Sequence, residues 1–312
     1  MLRSRSIAAP VAALLLLCGC HRKPPAETVP RPFDINDAME HWYGRYDRST
    51  QTARANLPDK PDIDLTGSWF APKDPVDIVV VFDAPYQQAG HPRHAIVTAA
   101  VPHRSDKPGR PGDSSFHCFA CQPVIGMAVF TLRLNTWVLE SENEAVDMTG
   151  SRGLPPSFRL IELGTELHGV RSEAHVEAID FSSARMSLLV PWQDDISRAF
   201  AGETAYSNRG ACGPESPMRE PCYAWQRNDT LVEVPGQDYH DLVLTGSGTI
   251  PAPQPKLPPK AQAKVATRRG KAAAPSPEPP PAVVPYTAVE RLRFRDAVYV
   301  PLPDTDTSVP PH

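Results

Sequence analysis

A chain of 312 residues that is 41% hydrophobic, with 32 basic and 36 acidic groups, has enough apolar material for a core and a formal charge of −4. That mild acidity argues against a nucleic-acid-binding surface. The 37 prolines, about twice the usual ~5% share, exclude a protein built of long helices and point to spacers and short strands.

In chain order, Arg3 and Arg5 precede an apolar run from Ile7 to Leu17 interrupted only by Pro10. The run is too short to span a bilayer as a mature helix and has the layout of a secretory signal. It closes on Leu17-Cys18-Gly19-Cys20, which resembles the lipobox of bacterial lipoproteins. The resemblance covers about twenty residues and implies that 1–19 is a signal peptide, cut before Cys20. Cys20 is then diacylated and N-acylated (palmitate among the acyl groups), the several-chain anchoring that one acyl chain cannot supply. It further implies, because His21 rather than Asp follows Cys20, the periplasmic face of the outer membrane. Without 1–19 the chain keeps 293 residues, and loss of Arg3 and Arg5 leaves 30 basic against 36 acidic groups, a charge of −6. That length allows one large or two ordinary domains. Residues 20–33 are polar and proline-rich, a tether reaching at most ~40 Å at the polyproline rise.

From Asp34 the residues Ile35, Ala38, Met39, Trp42 and Tyr46 recur at spacings of three and four. This predicts an amphipathic helix capped by Asp34 or Asn36 and bounded by Pro58, its Trp42, Tyr43 and Tyr46 packing on the body. Short β-branched or aromatic runs follow at 66–70, 76–82, 95–101, 126–134, 136–140, 158–163, 176–181 and 186–190, bounded by turn residues as strands are. The continuous run 78–82 reads as a central strand. Residues 193–200, with acids first and an Ile196, Ala199, Phe200 stripe, predict one short internal helix. Residues 202–229 read as loop, and 231–234 with 242–244 as a hairpin with a long connection.

The stretch 251–285 holds eleven prolines, six basic residues and one acid without an aromatic ring, a composition too poor in apolar surface to fold. Leu292 and Phe294 then alternate with Arg291, Arg293 and Arg295, a strand returning to the body with its arginines as a solvated face. The fold class expected is therefore mainly β: an antiparallel β-sandwich or barrel-like body, 34–250 and 286–300, with one N-terminal amphipathic helix and one short internal helix. The stretch 251–285 is a disordered insertion, and 301–312 a flexible tail.

Four cysteines remain for an oxidising compartment, Cys118, Cys121, Cys212 and Cys222, and they allow three pairings. Cys212 and Cys222 bracket a loop without a core of its own, so a local bridge is the simplest pairing. Cys118-Phe119-Ala120-Cys121 is followed by Gln122, not the His of a haem attachment, and leads into a strand rather than the helix of a redox dithiol. His91, His94, His103 and His117 lie close by in sequence. With Cys118 and Cys121 they form the alternative reading, a zinc or copper site. Gly-x-Ser-x-Gly, Ser-x-x-Lys and His-Glu-x-x-His are all missing from the sequence, and Glu140, Glu142 and Glu144 read as a charged loop.

The function expected is that of a lipid-anchored, non-catalytic binding or structural module. It works on the periplasmic face of the outer membrane, held to the membrane through lipid on Cys20. Its partner is an unknown envelope protein or polymer. The alternative is a metal-binding or thiol-redox envelope protein that uses the loop from His91 to Cys121.

Overall fold

The computed structural model describes residues 31–57, 75–103, 122–213, 221–252 and 282–303. The expected signal and Cys20, the run 66–70, His117, Cys118 and Cys121, most of the expected proline-rich insertion and the end of the expected tail lie outside these residues. The described part is mainly β, with a single helix and fourteen strands hydrogen-bonded into one sheet.

Helix α1, Ile35–Tyr43, begins where Asp34 accepts the backbone N–H groups of Asn36 and Asp37 and ends at Gly44, whose φ of 68° suits a left-handed cap. It is shorter than the expected span to Pro58. Gly44 stops it, and Tyr46 belongs to a small edge hairpin of β1, Tyr46–Asp47, and β2, Thr52–Ala55. Trp42 is buried, and the Tyr43 hydroxyl lies 3.2 Å from Thr98 Oγ1, so the helix aromatics pack inward as expected.

The strands form two antiparallel meanders. The first is β1, β2, β3 (Val76–Gln88), β4 (His91–Pro102), β5 (Val124–Arg133) and β6 (Thr136–Met148). The second is β7 (Ser157–Gly164), β8 (Leu167–Glu177), β9 (Ser182–Trp192), β10 (Asp195–Ser207), β11 (Ala224–Val232), β12 (Asp241–Pro251), β13 (Val283–Arg295) and β14 (Val298–Pro301). They meet where Asp195 of β10 pairs in parallel with Glu142 of β6, a junction reinforced by Asn143 Nδ2 donating to Asp195 Oδ1 and Ile196 O. Tight turns carry the chain between neighbours. Ala89-Gly90, Leu134-Asn135 and Asp296-Ala297 all have positive φ at both positions, the geometry that suits two-residue hairpins.

β4 and β5 are covered on both faces. Ile96, Ala100, Ala128 and Phe130 pack with α1, whereas Val97, Ala99, Ile125, Met127 and Val129 pack with Val170, Leu189 and Ile196 of the second meander. A third cluster joins β7–β9 to β12–β14 through Leu163, Met186, Leu188, Leu242, Leu292 and Phe294. Central burial thus falls on β4 and β5, while residues 79–82 of β3, expected to be central, are only half-buried.

Several expectations need correction. The segment 193–200 is not a helix: Gln193-Asp194 is the turn between β9 and β10, and the rest is β10. A register break between Arg198 and Phe200 leaves Ile196 and Ala199 buried three apart, which imitates a helical period. The strand expected at 176–181 ends at Glu177, and Ile179 sits almost fully exposed in a turn. Residues 202–207 and 224–229 of the expected loop belong to β10 and β11, and β6 runs through Glu140, Glu142 and Glu144 to Met148. Residues 251 and 283–285 of the expected insertion pair within β12 and β13. Finally, Arg291 and Arg293 are not a solvated face. Both bind the fully buried Asp241, at 2.7 and 3.2 Å, because that carboxylate lies on the adjacent strand.

A candidate binding groove beside the tether

A groove of about 460 Å³ opens along the hairpin of β3 and β4, lined by Phe33, Pro85, Tyr86, Gln87, Pro92, Arg93, His94 and Trp137. Pairing of Pro85 with His94, Tyr86 with Arg93 and Gln87 with Pro92 sets these side chains in register. Trp137 comes from β6, one strand beyond β5.

Phe33, at the end of the predicted tether, closes one side. Its ring stacks on His94 with centroids 3.8 Å apart and meets Trp137 and Phe130 edge-on at 5.1 and 5.7 Å. Arg31 anchors the same segment. Its backbone N–H donates to Asn135 Oδ1, its carbonyl accepts from Trp137 Nε1 at 2.9 Å, and its guanidinium bonds Asp37. The positive-φ turn at Leu134-Asn135 is what presents Asn135 to this segment.

The charged groups are largely committed. Glu140 holds Arg93 through two short bonds of 2.6 and 2.7 Å, a bidentate pair that fixes the guanidinium plane. His94 is buried and its Nε2 lies 2.9 Å from Asp83 Oδ2. Burial lowers the imidazole pKa below its ordinary value, and the bond to Asp83 opposes that shift. Burial also pushes the Tyr86 phenol up, so it remains protonated. A His–Asp pair is part of a hydrolytic triad, but the described residues lining this groove include no serine or cysteine to serve as its nucleophile.

Of the expected metal ligands, His94 is in the groove and His91 is exposed at the start of β4. Three residues apart on a strand, the two rings leave opposite faces and do not converge. His103 is bound separately, its Nδ1 3.0 Å from the Asp77 carboxylate. Among the described residues no three His, Cys, Asp or Glu side chains gather as a metal site. His117, Cys118 and Cys121, on which that reading chiefly rests, lie outside the described residues, as does Cys20. Cys212 and Cys222 form the expected local disulfide, ten residues apart, with Asn208 bracing the connection through Pro221 O and Tyr223 N.

Sequence reasoning reached His94 as one of the histidines near Cys118 and Cys121, but missed Phe33, Tyr86, Arg93 and Trp137. Only the Pro85 and Pro92 pair flanking a turn within one hairpin was a local sign of them. No protein family, curated protein or solved structure was found to match the chain.

Proposed function

We propose that the chain is a lipid-anchored, non-catalytic binding module. It is held by Cys20 on the periplasmic face of the outer membrane, and its body is a sandwich-like stack of two meanders. The partner, an envelope protein or polymer, contacts the groove beside Trp137.

One observation carries this reading: the last residues before the body, Arg31 to Phe33, are fastened into one side of the groove. A surface at the foot of the tether stays within that tether's reach, at most ~40 Å, of the anchor. The rings of Phe33 and Trp137 with two prolines give the lining the apolar contact area typical of recognition sites, and the paired charges give it orientation.

The test has two arms. Cells expressing the chain are labelled with a palmitate analogue and fractionated, and label with outer-membrane recovery is expected to vanish in Cys20→Ser. A photo-crosslinker at exposed Gln87 is expected to capture an envelope component that the same probe at exposed Val289 does not. Cys20-independent recovery, or equal capture at both positions, refutes the proposal.

A further inference from the structure

We propose that the open half of the groove binds an extended, proline-rich and basic segment of a partner protein; this rests on the reading of the chain as a binding module. The structure already holds a sample of that chemistry. Pro32 confines Arg31 to extended backbone, and the Arg31 carbonyl accepts the Trp137 indole N–H while the neighbouring Phe33 packs against the same ring. Polyproline segments are recognised in this way, since their backbone carbonyls face outward and their rings pack on aromatic side chains. The Arg31 guanidinium is held by Asp37 of α1 at 2.9 Å.

This in-chain segment closes one side of the groove, whose lining continues over the paired strands β3 and β4 past Pro85, Gln87 and Pro92. A polyproline helix advances about 9 Å per turn of three residues, so a short segment suffices to run along it. The charges favour a basic ligand. Arg93 is neutralised by Glu140, while Asp83, which holds His94 at 2.9 Å, keeps a side chain that is 49% exposed. Such a segment loses little conformational entropy on binding, because proline has already restricted it.

Fluorescence anisotropy of a labelled octaproline flanked by lysines tests this, using the full chain and a Gly-Ser peptide with the same lysines as control. The proline peptide is expected to bind saturably and at least about tenfold more tightly than the control. Trp137→Ala and Gln87→Lys are each expected to weaken it at least about fivefold. Gln87 is exposed, so its variant separates loss of the site from loss of the fold. Equal affinity for both peptides makes the surface a simple polyanion, and indifference to both variants puts the ligand elsewhere; either result overturns the proposal. So does a tenfold rise in affinity on deleting residues 253–281, which assigns the groove to the chain's own proline-rich stretch. If the peptide fails while Gln87 still crosslinks a partner in cells, the binding-module reading stands and the polyproline chemistry falls.

Discussion

Replacing Phe33 with alanine is the most informative single perturbation, because that ring fastens the segment before α1 to the body. It contacts His94, Trp137 and Phe130. Truncating a fully buried phenylalanine costs about 3–5 kcal/mol. Phe33 is half-buried, so roughly half of that, ~2 kcal/mol, is expected. In a body of this size the melting temperature should fall by about 4–8 °C. The His94 stack should account for ~0.5–1.5 kcal/mol of it, read as the coupling in a cycle with His94→Ala. The assay is thermal unfolding by circular dichroism, accompanied by tryptophan emission compared with a Trp137→Phe background. Release of Arg31 removes the acceptor of the Trp137 indole and should shift its emission to the red. A melting temperature lowered by less than about 1 °C, with unchanged Trp137 emission, refutes the claim that this segment is fastened to the groove.

Three further outcomes are expected. Asp241→Ala removes the buried carboxylate shared by Arg291 and Arg293. It should cost about 3 kcal/mol in urea unfolding, the low end for a broken buried pair because both arginines retain access to solvent; a loss below ~0.5 kcal/mol shows that the pair is incidental. Cys212→Ser with Cys222→Ser opens a bridge spanning ten residues and should lower stability by about 3 kcal/mol in the chain-entropy model, as measured under non-reducing conditions. His94 is held below its ordinary value of 6.5, so between its folded pKa and 6.5 the unfolded chain binds more protons than the folded one. Its contribution should therefore be complete above pH 6.5 and decline as the pH falls below it, and His94→Gln should flatten that slope in urea titrations; an unchanged slope shows that other groups produce it.

Local patterning made much of the fold legible. Asp34 followed by a three-and-four stripe announced α1, and β-branched runs between turn residues announced most of the meanders, because both signals are written in adjacent residues. Failures came where a local signal was ambiguous or belonged to a partner strand. The break near Ala199 mimicked a helix, and Arg291 and Arg293 looked solvated because Asp241, fifty residues away from Arg291, is invisible to periodicity. The 202–229 segment looked like a loop because its strands are half-buried and polar on both sides of the disulfide.

Without coordinates, the chain already declared a mainly β body, a capped N-terminal helix and a local Cys212–Cys222 staple, since each depends on neighbouring residues and on short-range entropy. Folding alone brought Phe33 onto His94 and Trp137, and closed Glu140 on Arg93. Those side chains stand 61, 104 and 47 residues apart. They meet because strand pairing, which follows register and the burial of two sheet faces rather than sequence proximity, lays β3, β4, β5 and β6 side by side.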